Sequence, residues 1–230
     1  MKNLILLFLL LSISCKNENS SQKKLEYNYN SQITENADYI NINYTQNNSK
    51  ILIAYFTWAD NTVVENPSSI DLDAETSASV LSPGNTELIA GWIKEETGGD
   101  LFSIKTQNKY SSDYDECLNQ ARIERDNNER PALTDKVNNI NDYDIIFLGF
   151  PNWWYTCPMA VFTFIENHNL SGKTIIPFCT HGTGGMAGTI IDLKNLLPND
   201  CKVLDAVGVY RPEVKNSKNK ILNWIRKLEY

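Results

Sequence analysis

The sequence has few residues that could bind a metal or carry thiol chemistry. It contains two histidines in 230 residues, and its five cysteines match neither a zinc-binding spacing nor a CxxC pair. Acidic residues at positions 71, 73 and 75 could suggest a cation, but a calcium loop needs a regular set of alternate ligands that ends in a bidentate acid, so we expect a solvated acidic loop there. Zinc modules, thiol–disulfide enzymes and calcium-binding loops are therefore disfavoured, and we predict no metal site.

Positive charge is also scarce. Lys and Arg number 21 against 28 Asp and Glu, which gives a formal net charge of -7. A nucleic-acid-binding surface or a basic membrane-docking face needs clustered Lys and Arg, so the composition argues against both. The partner that suits an acidic surface is a protein with a basic face.

No apolar run is long enough to span a membrane, because a spanning helix needs ~20 apolar residues. The longest candidate, residues 4–11, follows Lys2 and precedes small residues and Cys15, which is the layout of a secretory signal peptide. The Cys after small residues resembles the lipobox of bacterial lipoproteins, which implies a lipidated Cys15 and a place on the bacterial cell envelope. An ordinary cleaved signal with a chance cysteine is the alternative.

Residues 16–50 are rich in Asn, Ser, Gln, Lys and Glu and sustain neither a helical nor a strand period. Such a segment buries too little apolar surface to offset its ordering entropy, so we predict a disordered tether. The expected organisation is a signal peptide over 1–15, a tether over 16–50 and one folded domain over 51–230.

The folded part predicts an α/β domain. Residues 51–58 (ILIAYFTW) form a short apolar run without alternation, which is typical of a strand buried on both faces. Similar runs recur and alternate with helical patterns, which indicates repeated βαβ units. We expect strands at 51–58, 101–106, 144–150, 174–180 and 202–210, and helices at 87–97, 113–127, 158–167, 186–197 and 214–228. The pattern fits a doubly wound parallel sheet of order 2-1-3-4-5 with helices on both faces.

Four blocks in this order resemble the flavodoxin family: AYFTW, GNT before a helix, PNWWYTCPM and FCTHGTGG. The resemblance covers nearly all of residues 51–228. It implies a flavodoxin-like fold that holds flavin mononucleotide (FMN) non-covalently and carries electrons or hydride. The blocks would then provide a phosphate loop and two flavin loops at the carboxyl ends of the strands.

The phosphate loop has two candidates. Residues 57–62 follow the first strand directly, but they place Asp60 where the family has glycine, and an acid there would repel a phosphate. Gly84, Asn85 and Thr86 keep the glycine and open a helix, whose N-terminus favours anions. We therefore predict a split loop with an insertion over 59–83, and its residues are Thr57, Trp58, Gly84, Asn85 and Thr86. A plain helix cap is the other interpretation of GNT.

The two flavin loops follow the third and fourth strands. Three adjacent aromatics are unusual on a surface loop, and a flavin ring would give them a surface to stack on. One of the two tryptophans is expected instead to plug the end of the sheet. Glycines in the second loop would let backbone N–H groups approach the pyrimidine edge of the flavin. The predicted contacts are Pro151, Asn152, Trp153, Trp154, Tyr155, Thr180, His181, Gly182, Gly184 and Gly185.

His181 is the catalytic candidate, because it stands at a strand end beside a glycine turn. It could stabilise the charge of reduced flavin, contact a hydride donor or acceptor, or be only a turn residue. The other histidine, His168, lies near a predicted helix end, where a satisfied surface residue is expected. Cys157 and Cys179 fall close to the loops and could be small core residues.

Three functions remain open at this point. The first is an electron carrier that docks by its acidic surface on a redox partner protein. The second is an enzyme that passes hydride from a nicotinamide to a quinone-like acceptor, although no second nucleotide-binding fingerprint is visible in the sequence. The third is a flavin-free envelope scaffold, which a colourless purified protein would support.

The predicted lipid anchor is directly testable. Replacing Cys15 with Ser should turn a membrane-associated protein into a soluble exported one, because the thiol that would be acylated is lost while the sequence that directs export is unchanged. Cell fractionation of wild type and Cys15→Ser measures this. A wild type found wholly in the soluble fraction would exclude the anchor.

Overall fold

The computed structural model describes residues 49–67 and 79–230. The predicted signal peptide, Cys15, nearly all of the tether and the acidic loop at 71–75 lie outside the described residues. Within the described residues, no helix is both long and apolar enough to cross a membrane.

In the described part of the chain, six strands and five α-helices alternate, except that the last two strands follow each other directly. The strands are β1 (Ile51–Tyr55), β2 (Asp100–Ser103), β3 (Ile145–Pro151), β4 (Thr174–His181), β5 (Lys202–Val203) and β6 (Val207–Tyr210). The helices are α1 (Asn85–Thr97), α2 (Tyr114–Asp126), α3 (Met159–Glu166), α4 (Thr189–Leu196) and α5 (Lys218–Ile225). Short 3-10 helices cover Ala59–Asn61, Ile140–Asp142 and Arg211–Asn216.

The sheet is parallel and has the order β2-β1-β3-β4-β5, with β6 also paired to β4. This confirms the predicted flavodoxin-like order. β1 lies inside the sheet between β2 and β3, where Ile53 pairs with Leu101 on one side and Phe147 on the other. Because successive side chains point to opposite faces, the strand contributes side chains to two separate cores. One core contains Leu52, Ala54 and Phe56, and the other contains Ile53 and Tyr55.

The helices cover both faces of the sheet. Buried residues of α1 and α5 join the core beneath Ile53, whereas residues of α2, α3 and α4 join the core beneath Leu52. α1 ends at Gly98, whose positive φ of 73° suits glycine and whose N–H bonds to the carbonyl of Lys94. The predicted stop of this helix is therefore confirmed.

Several predicted boundaries are wrong. The fifth strand is two segments, β5 and β6, which pair with successive parts of β4. Between them the backbone carbonyl of Asp205 accepts a hydrogen bond from the indole of Trp224 instead of a strand neighbour. The helix expected from 186 begins only at Thr189, after a glycine-rich turn, and the last helix is a 3-10 turn followed by α5. Pro158 caps α3 rather than opening it.

Two glycines test the packing of this sheet. A Cβ at Gly149 would lie 2.1 Å from the Phe178 ring, so Gly149→Ala should destabilise the protein by about 1–3 kcal/mol through overpacking. A Cβ on Gly91, in α1, would have no atom within 4 Å, so Gly91→Ala should stabilise the protein by about 0.5–1 kcal/mol. Urea unfolding of both variants checks the contrast, and equal effects would contradict it.

Candidate functional site

A cleft opens at the carboxyl ends of β1, β3, β4 and β6. Its inner part is a recess that is partly open to solvent. Nine predicted site residues line it: Trp58, Asn85, Pro151, Asn152, Trp153, Trp154, Thr180, His181 and Gly182. Tyr155 and Gly184 line an outer part that shares several residues with the inner one. Thr57, Gly84, Thr86 and Gly185 line neither part.

The two halves of the predicted phosphate loop meet. A Cβ placed on Gly84 would lie 1.9 Å from the Thr57 hydroxyl oxygen, so only glycine allows this approach. Thr57 is 1% exposed, and its hydroxyl has no hydrogen-bond partner among the described residues. A buried polar group without a partner costs free energy, and such groups often mark a place that a ligand completes.

The start of α1 carries its own acceptors. The N–H of Asn85 donates to the Ser79 hydroxyl, and the N–H of Gly84 donates to the Glu87 carboxylate at 3.0 Å. The helix N-terminus therefore already has a carboxylate and a hydroxyl beside it, and an incoming anion would compete with them for these donors.

The rival loop has a structural role. Asn61 is fully buried, and its amide donates to the carbonyls of Thr57 and Ile104 at 2.9 and 3.0 Å. The Thr62 hydroxyl donates to the carbonyl of Tyr110 at 2.9 Å, and the Asp60 carboxylate accepts from the Ser103 hydroxyl. None of these three side chains lines the cleft. Asn61 and Thr62 instead fasten the exit of β1 to the chain that follows β2.

The first flavin loop divides its aromatic residues between core and surface. Trp153 meets Phe56 and Tyr110 edge to face, with ring centroids 5.3 and 5.1 Å apart, and so closes the floor of the cleft. Trp153 is thus the tryptophan that plugs the end of the sheet. The Trp154 indole lies on the cleft wall, where its N–H donates to the carbonyl of Leu118 at 2.8 Å.

Trp154 and Tyr155 form a strained turn. Both have positive φ, 52° and 68°, and the flanking residues Trp153 and Thr156 exchange two backbone hydrogen bonds. Positive φ at both central residues is the pattern of type I′ hairpin turns, where Asn-Gly is preferred. The Arg125 guanidinium holds the turn, because it lies over the Trp154 ring and donates to the Trp154 carbonyl at 3.2 Å.

The second flavin loop is tied to the first and to α1. The Asn152 side-chain N–H donates to the carbonyl of Gly185, whose φ is 62°. The Asn152 side-chain oxygen is buried and has no partner among the described residues. The hydroxyls of Thr86 and Thr180 lie 3.2 Å apart, 94 positions apart in sequence. These bonds bring the three predicted loops together around one cleft.

The two histidines have different environments. His181 lines the cleft, where its Nδ1 lies 2.8 Å from the carbonyl of Gly182 and its ring packs beside Tyr210. His168 is buried rather than on the surface as expected. Its Nε2 accepts from the N–H of Val137, so its Nδ1 donates to the carbonyl of Phe164. Burial lowers the pKa of His168, which keeps it neutral and structural.

The thiols near the cleft are unreactive. Burial raises the pKa of Cys179 to about 12, and burial also raises the pKa values of Cys117 and Cys157. At neutral pH these thiols therefore stay protonated, and they are poor nucleophiles because only the thiolate attacks. Among residues 49–67 and 79–230, no three His, Cys, Asp or Glu side chains are grouped to hold a metal ion.

The sequence analysis missed the wall that α2 contributes and the residues after β6. Tyr114, Cys117, Leu118 and Ala121 of α2 line the inner cleft, and Tyr210 and Arg211 line its outer part. The sequence of α2 is polar overall, so its one apolar stripe is only a weak signal. Arg211 carried no signal, because it belongs to no family block and reaches the cleft only through the pairing of β6 with β4.

A parallel sheet of this order, with a cleft built from the loops after its strands, defines a flavodoxin-like protein. The family model described as flavodoxin matches residues 72–228. The chain belongs to the flavodoxin family.

Solved structures support the same fold. A candidate flavoprotein from Bacteroides eggerthii is 28% identical, covers 76% of this chain and 98% of its own, and has a TM-score of 0.55. One from Bacteroides uniformis is 26% identical over 78% and 99%, with a TM-score of 0.58. A flavoprotein from Lactobacillus acidophilus, solved in complex with FMN, is 18% identical over 73% and 97%, with a TM-score of 0.52. No curated protein matches the sequence.

Proposed function

We propose that this chain binds FMN in the cleft and works as an electron carrier. Membership of the flavodoxin family and the shape of the cleft support the cofactor. One distant structural relative is an FMN complex. Bound FMN would supply reversible one- and two-electron chemistry, and the protein would bind it, shield it from water and adjust its charge environment.

The observation that carries the proposal is the buried hydroxyl of Thr57. It has no partner among the described residues, and it faces Gly84, which opens α1. A phosphate at this helix N-terminus would accept a hydrogen bond from the hydroxyl, and it would displace Glu87 and Ser79 to bind the N–H groups of Gly84 and Asn85. The cofactor would then remove the free-energy cost of leaving this buried donor without a partner.

A second unpaired atom fits the flavin ring. Asn152 lines the cleft, its side-chain oxygen is a buried acceptor without a partner among the described residues, and the pyrimidine ring of a flavin carries an N–H donor. Trp154 would supply apolar surface beside the ring, whereas the exposed Tyr155 borders only the outer part of the cleft. Gly182 and Gly184, in the loop that follows His181, would let backbone groups approach the ring closely.

The redox partner that we propose is a protein with a basic face, because the chain carries a net charge of -7. Complementary charge speeds encounter and fixes orientation more than it adds affinity. We further propose that the domain works on the cell envelope, held by the lipid on Cys15. That proposal rests on the N-terminal sequence alone, and the Cys15→Ser fractionation tests it.

Three Thr→Val variants test the phosphate site with matched chemistry. Thr57→Val and Thr86→Val should each weaken FMN binding by about 1.5–3 kcal/mol, because each removes a hydroxyl next to a charged group. Thr62→Val should leave FMN affinity unchanged and lower stability by about 1 kcal/mol, because it loses only its bond to the Tyr110 carbonyl. Titration of apoprotein with FMN measures the first effect and urea unfolding the second.

Thr57→Val carries an internal control. Without FMN the variant should be at least as stable as wild type, since it removes a buried hydroxyl that has no partner. Loss of FMN affinity at Thr62 with indifference at Thr57 and Thr86 would place the phosphate at residues 60–62 and contradict the split loop.

The rate of flavin reduction separates a carrier from a nicotinamide-dependent reductase. We expect NADH and NADPH alone to reduce the bound flavin slowly, because the sequence has no second nucleotide-binding fingerprint. Stopped-flow absorbance of the flavin under anaerobic conditions measures this rate, and dithionite reduction of the same sample is the control. Fast, saturable reduction by either nucleotide with turnover of a quinone would assign the reductase function instead.

A further inference from the structure

Arg211 differs from the other arginines because its charge has no carboxylate partner among the described residues. The sequence has five, and Arg122, Arg125, Arg130 and Arg226 each form an ion pair with a carboxylate at 2.6–3.2 Å. Within the described part of the chain, no ion pair or hydrogen bond engages the guanidinium of Arg211. In a protein with a net charge of -7, an unpaired arginine inside a cleft is a local exception to the overall field.

The position of Arg211 points it at the cleft. It follows the last residue of β6 and lines both the inner and the outer part. A Cβ on Gly182 would lie 3.9 Å from the guanidinium carbon, so the guanidinium packs beside the glycine turn that borders the cleft. A planar guanidinium with several N–H donors matches carboxylate, sulfonate and phosphate groups.

Two tyrosines flank this charge. Tyr155 is 66% exposed and Tyr210 is 37% exposed, and both line the outer part of the cleft with Arg211. Their rings are backed by other groups, since the Cβ position of Gly184 lies 3.4 Å from the Tyr155 ring and the Tyr210 ring packs beside His181. Exposed aromatic faces beside a recessed cleft favour the stacking of a planar ligand.

We propose that the outer cleft is a binding site for a second, small ligand: a planar aromatic compound with one anionic group, which Arg211 recognises. The site adjoins the flavin cleft, so the proposal deepens the proposed function and rests on it for the identity of the inner ligand. A single guanidinium suits one anionic group better than a dinucleotide, in agreement with the slow reduction by NADH and NADPH expected above. The ligand would be a small-molecule redox partner that binds in addition to the protein partner.

Two probes of the same ring system test the charge requirement. Naphthalene-2-sulfonate is anionic, whereas naphthalene-2-sulfonamide is neutral at pH 7, and neither is a redox agent. We expect the FMN-loaded wild type to bind the sulfonate at least ~10-fold more tightly in low salt, the scale of one hydrogen-bonded charge pair. Isothermal titration calorimetry gives both dissociation constants, and the preference should shrink as salt is added.

Variants assign the preference to Arg211. Arg211→Gln should remove the ~10-fold preference, and Arg211→Lys should keep part of it, because Lys retains the charge but not the planar donors. Arg226→Gln, which breaks an exposed pair with Glu96, is the matched control and should change neither constant. Tyr155→Ala should weaken both probes to a similar degree, since it removes stacking and leaves the charge.

An FMN titration of each variant keeps the two proposals apart. FMN affinity of Arg211→Gln within about threefold of wild type is expected, because the phosphate is assigned to the start of α1. A loss of tenfold or more would place the guanidinium in the FMN site and overturn the second-ligand proposal. Equal binding of both probes by FMN-loaded wild type would also overturn it. A wild type that takes up no FMN contradicts the proposed function instead.

Discussion

The cleft depends on one buried side-chain amide. Asn61 is fully buried, and it donates to the carbonyls of Thr57 and Ile104 and accepts from the N–H of Thr106 at 2.7 Å. These bonds stitch the chain leaving β1 to the chain leaving β2, where parallel strands end and backbone groups lose their ladder partners. A buried network of this kind is rigid only when all its members are satisfied. Asn61 thus fixes the backbone of Thr57, the residue whose hydroxyl lies against Gly84 in the candidate phosphate loop.

The aromatic floor extends the same arrangement. Phe56, directly after β1, and Tyr110, beyond β2, both pack edge to face on Trp153 from the loop after β3. Tyr110 also donates to the buried Glu124 carboxylate at 2.7 Å, and burial raises the pKa of Glu124. Three loops are therefore joined beneath the cleft by ring contacts and one polar link to α2. The contacts that hold the floor and the surfaces that face a ligand belong to different residues of the same short segments.

Much of the fold follows from local pattern, and much of the site does not. Apolar runs such as that of β3 are long and uninterrupted, so their burial on both faces and the strand order could be predicted. Gly98 likewise signals the end of α1 by its conformational freedom. The break between β5 and β6 could not be predicted, because it depends on a distant indole that bonds to Asp205. Nor could Arg211, which only the register of β6 against β4 brings to the cleft.

The site residues show the same division at finer scale. The GNT block correctly located the start of α1, yet the acceptor on the Asn85 N–H is Ser79, a residue of the predicted insertion that lies outside the four blocks. The two tryptophans are adjacent and identical in type, so nothing local decides which one enters the core. That choice is made by the space between Phe56 and Tyr110, and such space is a property of the assembled sheet rather than of the loop.

The turn at Trp154 and Tyr155 has an evolutionary consequence. Left-handed backbone costs a bulky residue roughly 1–2 kcal/mol, so two such residues in succession store free energy that Asn-Gly would release. Selection for heat resistance alone should therefore favour Asn-Gly at these two positions. A lineage that keeps two aromatic side chains here accepts a lower stability because of their role at the cleft. The amino acids at this turn could thus indicate, across descendants of the chain, whether the cleft is still in use.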